Sequence, residues 1–239
     1  MKGVKFEDLL IFENDNYLII NKPPYISTLE DRNDPIDILK LAKEYHADAQ
    51  VCHRLDKETS GVLVIAKHFE AYRHFAILLE KRHVKKVYHA VLNGIHEFEN
   101  LEADQPIHSS NSKSRVDFRE GKPSLTLVST LETFRLHTLV KCFPVSGRLH
   151  QIRVHLAFHK APICCDPVYG GDFIYLSQFK KNFTLGKHTD EEHPLIPRVA
   201  LHAHSIAFHD FGDGDKTIEI SAPYPKDFAV LVKQLRKFA

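Results

Sequence analysis

CHRLDKETSGVLVIAK, residues 52–67, sets His53, Arg54, Asp56, Lys57 and Glu58 directly ahead of an apolar run, Val62 to Ala66. The run reads as a buried strand, and Thr59-Ser60-Gly61 before it reads as a turn. A tight loop anchored to a rigid strand is a common way to hold a functional carboxylate. The plain alternative is a solvated turn with a local Arg54–Asp56 contact, since charged loops are common.

Upstream, Tyr17 to Ile20 is a short apolar run that stops at Lys22-Pro23-Pro24, a strand entering a stiff loop. Asp34-Pro35 predicts a helix through about Tyr45, with Asp34 as N-cap and Pro35 at the first helical position. Downstream, Phe69 to Lys81 suits a helix with Phe69, Tyr72, Ala76 and Leu79 on one face. Val84 to Leu92 follows as a strand ended by Asn93-Gly94. Ile95 to Lys122 is polar and irregular and holds HSSNSKSR, residues 108–115. Ser124–Phe134 and Leu136–Phe143 alternate as an antiparallel pair would. A helix is expected from about Arg148 to His159, turns at Asp166-Pro167 and Gly170-Gly171, and strands at Val199–Phe208 and Thr217–Ser221. An amphipathic helix from Lys226 to Phe238 closes the chain.

Strands are scattered, helices are inserted irregularly, and there is no strict βαβ alternation. That favours an α+β fold, a mixed, mostly antiparallel central sheet flanked by helices, with residues 1–239 as one domain. No glycine-rich phosphate loop follows a strand. With 43% hydrophobic and 26% charged residues in 239, the composition is that of a soluble globular protein. There is no run of about 18 apolar residues and no basic-then-apolar leader at the start, so the expected compartment is the cytoplasm. Cys52, Cys142, Cys164 and Cys165 form no C-x-x-C pair, so reduced thiols are expected rather than a zinc site. The formal net charge is +1, so it neither demands nor excludes nucleic acid, and any surface for one must be a local patch.

A second constellation is GRLHQIRVHLAFH, residues 147–159. Leu149, Ile152 and Leu156 form an apolar stripe, and Arg153 lies only about 65° from its centre on a helix. A guanidinium that close to a buried face needs a carboxylate, because it cannot give up its charge. Asp56 is the attractive candidate. Arg148, Gln151 and His155 share a different, polar face, whose plain reading is a solvated surface.

HRLDKETSG matches every fixed position of H-R-L-D-x-x-T-S-G, the signature of the RluA-like pseudouridine synthases. GRLHQIRVH with PICCDPVYG (residues 162–170) resembles that family's later motif. KKVYHAVLNG (85–94) resembles its K-x-Y-x-A-x-V-x-G strand. NKPPYIST resembles its N-K-P-x-G loop, and LHAHSIAF and SAPYPKDF resemble its closing segments. The resemblance covers about residues 12 to 228. It implies the pseudouridine synthase catalytic fold, with Asp56 as catalytic residue and Arg54 in the active site. It further implies Arg153 paired with Asp56, and Tyr88 stacked on the target base. Lys22, Arg148, Gln151 and Leu201 become candidate RNA contacts. The implied partner is RNA, ribosomal or transfer, with no metal, no cofactor, no obligate protein partner and a monomeric chain. The pattern begins close to Met1, so a stand-alone catalytic domain without an S4-like module is expected. Tyr25, Lys160 and Cys165 stand where glycine is usual, and Leu149 replaces a threonine or similar residue.

Turning uridine into pseudouridine breaks N1–C1′, rotates the uracil and rejoins it through C5, with no net redox change or hydrolysis. Two other readings compete. An RNA-binding module with a dead site predicts loss of the aspartate or its arginine, yet both are present. A metal-dependent hydrolase could draw on His53, Asp56, His150, His155 and Asp166. No H-E-x-x-H spacing supports it, and His150 and His155 sit about 140° apart on a helix.

Overall fold

The computed structural model describes residues 4–31, 35–110, 112–185 and 191–239, and at 214 and 215 the backbone only. In chain order the first elements are β1 (Leu10–Glu13), β2 (Tyr17–Lys22), α1 (Ile38–Tyr45), β3 (Gln50–Val51), β4 (Ser60–Ala66) and α2 (Phe69–Glu80). Then come β5 (Lys85–Asn93), β6 (Leu101–Ala103), β7 (Ile107–Ser109), β8 (Ser114–Val116), β9 (Thr126–Thr133) and β10 (His137–Pro144). The chain ends with α3 (Gln151–Phe158), β11 (Leu201–Asp210), β12 (Asp213–Ser221) and α4 (Lys226–Lys237). Its contacts divide it into two units, Met1–Tyr88 with His202–Pro223, and His89–Leu201 with Tyr224–Ala239.

In the first unit the apolar runs are continuous because both faces are covered. Tyr17, Ile19, Val62 and Val64 point to one side, into a cluster with Phe75 of α2 and Phe208 of β11. Leu18, Ile20, Leu63 and Ile65 point to the other, with Ile38 and Ala42 of α1. This is the period-2 alternation of a strand. Each such side chain, fully buried, contributes about 1.5–3 kcal/mol. Strand β4 pairs antiparallel with β2 and β3 and parallel with β11, while β11 pairs antiparallel with β12. The sheet is therefore mixed and mostly antiparallel. Gly61 opens β4 at φ +116°, and a Cβ there would lie 2.1 Å from Ala203 O. Only a glycine lets the end of the polar loop come this close to β11.

In the second unit β9 and β10 form a long antiparallel pair, and β6 adds to β9. Strands β7 and β8 make a separate antiparallel hairpin. Every residue of α3 from Gln151 to Leu156 is buried. Arg198, 1% exposed, grips Asp227 of α4 through Nε (2.7 Å) and NH2 (3.0 Å).

Several expectations are corrected. Helix α1 begins at Ile38, and its N-cap is Asp37, whose Oδ1 accepts from Lys40 N at 2.9 Å; Asp34 lies outside the described residues. The buried face of α2 is Ala71, Phe75 and Leu78, and Phe69 is 60% exposed. Phe75 wins because it meets Tyr17 and Phe208 edge to face. The polar stretch 95–122 contains three short strands. All four cysteines are free and buried. Among the described residues no helix is long and apolar enough to cross a membrane.

Candidate active site

Asp56 sits half-buried in the loop between β3 and β4, and the backbone on both sides of it is pinned to residues 22–28. On one side Thr28 Oγ1 donates to Leu55 O (2.8 Å) and accepts from Leu55 N (3.1 Å). On the other, Lys57 O accepts from Tyr25 N (2.8 Å) and from Lys22 Nζ (3.2 Å). Asp56 O closes a turn by accepting from Thr59 N. Such anchoring leaves the carboxylate little freedom to wander, which is what a catalytic group needs. Thr28, which sequence reasoning missed, and Lys22, expected as an RNA contact, thus hold the backbone beside Asp56. Their signal was weak, a lysine before two prolines and a threonine in a polar loop.

The other motif residues of the first unit fall into distinct roles. His53 accepts from Val64 N through Nε2 (3.2 Å) and lies flat on Phe75, with ring centroids 6.0 Å apart. Burial, with the Lys86 charge adding to it, pulls its pKa down to about 3, so it is a neutral acceptor and no proton shuttle near pH 7. Arg54 is exposed. Tyr88 is half-buried on β5, against the cluster on the α1 side of the sheet. Burial, and then the Asp56 charge, push its phenol well above the ordinary range. Tyr88 therefore stays a neutral phenol within the field of the Asp56 charge. Ser60 Oγ bonds His202 Nδ1 at 2.9 Å, and His202 Nε2 bonds Ala222 O at 3.2 Å, so the buried ring accepts from the serine and donates to the carbonyl.

Arg153, on α3 of the second unit, is 6% exposed and has the carboxylate that its position demands. That partner is Asp166, wholly buried, which accepts from Nε at 2.7 Å and from NH2 at 2.8 Å. The bidentate geometry is the strong form of such a pair. Asp166 was visible in the DPVYG motif, thirteen positions on, but nothing in the pattern showed that loop folding back under the helix. The Tyr169 ring lies 5.0 Å from the Arg153 guanidinium carbon, within cation–π range. Tyr169 Oη accepts from Ser114 N (2.9 Å) and bonds His150 Nδ1 (2.9 Å). Tyr169 thus holds the β7–β8 hairpin and the start of α3 around Arg153.

The face of α3 expected to be solvated is buried and bonded. Gln151 accepts from Ser146 Oγ and Arg148 N and donates to Leu125 O and Thr126 Oγ1. His155 bridges Thr126 Oγ1 and Gln105 O, each at 2.9 Å, and burial pulls its pKa down. Three candidate RNA contacts are buried. Lys22 has no exposed surface and donates to Pro23 O, Ile26 O and Lys57 O. Gln151 and Leu201 are each 4% exposed. Arg148 is exposed, with NH2 3.4 Å from Pro123 O, and remains suited to phosphate.

Among the described residues one group, His108, Asp117 and Glu120, brings three ligand-type atoms within 4.8 Å. Asp117 Oδ1 already accepts from the amides of Arg119 and Glu120, and Oδ2 from Arg115. These bonds hold its carboxyl low and account for the cluster as a capped turn.

Residues 16–158 match the sequence model of a family described as RNA pseudouridylate synthase. The chain belongs to that family. It is 32% identical over 237 residues to the ribosomal large subunit pseudouridine synthase D of Neisseria meningitidis serogroup B, covering 95% of this chain and 61% of that protein. It thus spans about three fifths of that relative's length. It is also 32% identical over 243 residues to the ribosomal large subunit pseudouridine synthase C of Vibrio parahaemolyticus, covering 99% of this chain and 72% of the relative. The fold is shared with the solved structure of human RNA pseudouridylate synthase domain containing 4. There the TM-score is 0.74 and the identity 24%, covering 97% of this chain and 94% of the other. The mostly antiparallel sheet is therefore the pseudouridine synthase fold. Against the family pattern, the three replaced glycines share one property. Tyr25, Lys160 and Cys165 have φ of 68°, 58° and 60°, all left-handed, so the chain keeps the backbone that glycine serves while carrying side chains there.

Proposed function

We propose that this chain converts specific uridines of structured RNA, ribosomal and/or transfer, into pseudouridine, with Asp56 as its catalytic carboxylate. It would act in the cytoplasm, as a monomer, without an obligate protein partner. The observation that carries this reading is the frame around Asp56. Its neighbours on both sides are pinned to residues 22–28, and the Tyr88 phenol lies in its field. Two bacterial relatives are named for the large ribosomal subunit, which favours ribosomal RNA as the first substrate to test.

The chemistry needs an ionised carboxylate beside a base that has left its stack. Asp56 either adds to C1′ as the N1–C1′ bond breaks, or removes the C2′ proton. The freed uracil turns and C5 bonds to C1′ as the Asp56–C1′ ester breaks or the C2′ proton is returned; C5 then gives up its proton and N1 takes one up. No atom is gained or lost. Tyr88 would stack on the uracil, and Arg54 would occupy the gap left by the flipped base or hold a phosphate. Arg153 is proposed as the partner of Asp56, on the strength of the family motif.

The test is a map of pseudouridines in ribosomal and transfer RNA from cells with and without the gene. One or a few sites should disappear on deletion and return with the wild-type gene, but not with Asp56→Asn. Identical maps with and without the gene count against the reading. Uridine isomerisation in vitro should also survive exhaustive EDTA treatment and dialysis. Activity that returns only with a divalent ion, while the RNA stays folded, would overturn the metal-free mechanism.

A further inference from the structure

Lys86 is a cation without a counter-charge in the unit that carries Asp56. It stands near the start of β5 in KRHVKK, residues 81–86, a run with four lysines and arginines and no acid. Lys81, Arg82 and Lys85 are exposed, whereas Lys86 is half-buried. Among the described residues its ammonium makes no hydrogen bond and no ion pair. Burial pulls its pKa down, and no carboxylate offsets that cost. A charge drawn out of water without a partner is unfavourable, and a methionine would fill the same space without it. The charge therefore points to an anion that arrives from outside the chain.

The place of Lys86 says which anion. Side chains alternate along a strand, so Lys86 and Tyr88 leave β5 on the same face, about 7 Å apart along it. Tyr88 packs against the cluster that contains Leu55, the residue before Asp56, and its phenol feels the Asp56 charge. The Lys86 charge acts on His53, three positions before Asp56, and helps to hold that ring neutral. A neutral ring cannot serve Lys86 as a counter-charge. The ammonium thus stands within the field of the HRLD loop, on the strand that carries the tyrosine proposed to stack on the uracil. An RNA strand led to that tyrosine brings a phosphate with every nucleotide.

We propose that Lys86 is a phosphate-binding residue whose ammonium takes a backbone phosphate of the RNA strand presented to Asp56. This rests on the function proposed above. Lysine meets phosphate as a point charge. Such a contact positions the strand and reads no base. Its loss should weaken capture of every substrate RNA alike, spare the chemical step, and lessen the dependence on salt, because one fewer counterion is released on binding.

Total RNA from cells lacking the gene is the probe, because it carries the uridines that this chain modifies in unmodified form. Lys86→Met keeps an unbranched apolar stem and removes the charge. It should raise the RNA concentration at half-maximal rate about tenfold and leave the saturated rate within about threefold. In filter binding, the slope of log affinity against log salt should become shallower by about 0.7–0.9, the share of one phosphate. The Tm should be unchanged or higher, since a half-buried charge without a partner has gone. Lys86→Arg keeps the charge and should keep the wild-type salt slope. Lys85→Gln removes an exposed charge on the opposite face of β5 and should leave half-saturation within about twofold. Wild-type half-saturation or a wild-type salt slope in Lys86→Met would overturn the proposal. So would an equal effect of Lys85→Gln, which would make the charge part of a general field. A fall in Tm of more than about 3 °C in Lys86→Met would do so as well, by making the side chain a packing residue. A wild-type enzyme that forms no pseudouridine in this RNA would defeat the function proposed above, and the salt slopes from filter binding would still decide the role of Lys86.

Discussion

His53 accepts the Val64 amide while lying flat on Phe75, and its pKa is pulled down to about 3. An unfolded histidine titrates near 6.5. Between these values the unfolded chain binds a proton that the folded chain refuses, so stability falls as pH drops from about 6.5 towards 3. His53→Gln can still accept the Val64 amide and should flatten the decline of Tm measured across that window. An identical slope in the variant would assign the acid sensitivity to other groups, such as His155. Arg153 makes the reverse case, a charge that must stay. Arg153→Leu leaves the buried Asp166 carboxylate without its fork and should lower stability by about 3–5 kcal/mol, with loss of activity. Arg153→Lys should be intermediate, a point charge in place of a planar fork. A urea melt of Arg153→Leu that matches wild type would remove the pair from any structural role. The need for a carboxylate beside Arg153 was legible from helical periodicity alone. That Asp166 pairs with it was not legible, because Asp166 lies far outside one helical turn and only the folded loop brings it in.

Strands β2 and β4 were legible because YLII and VLVIA are buried on both faces, and such runs have no amphipathic alternative to compete with. Strands β6, β7 and β8, three residues each, were not legible, since three residues show too little alternation to separate strand from loop. The start of α1 was misplaced because Asp34-Pro35 and Asp37 both carry helix-opening signals, and the Asp37 side chain is the one that caps. The polar face of α3 was misread because Gln151 and His155 find partners on β9 and in the loop at Gln105; burial with full bonding cannot be told from exposure in sequence. Gly61 was read only as part of a turn, yet it controls how two elements meet. Gly61→Ala would put a Cβ 2.1 Å from Ala203 O at φ +116°. Strand β4 would have to move from β11, carrying the Asp56 loop with it. A loss of roughly 3 kcal/mol or more in urea denaturation, with activity falling further than stability explains, is expected. A variant of wild-type stability and rate would mean the two strands part without consequence.

At the scale of the whole chain, 32 lysines and arginines against 31 acids leave a net charge of +1. Affinity for RNA therefore cannot come from a general positive field and must be shared among local phosphate contacts, stacking and recognition of RNA shape. A binding site spread over many groups is insensitive to any one that does not touch the backbone phosphates. Asp56→Asn is nearly isosteric, and by removing a negative charge it can only ease the approach of phosphate. The variant should bind its RNA within roughly tenfold of wild type, about 1.4 kcal/mol. Its turnover should fall below detection, because an amide is neither nucleophile nor base at neutral pH. One filter-binding titration and one single-turnover assay on the same folded protein separate the two quantities. Retained turnover would take Asp56 out of the centre of the mechanism. Binding lost together with turnover would show that Asp56 organises the pocket, and the case for its chemical role would have to be rebuilt.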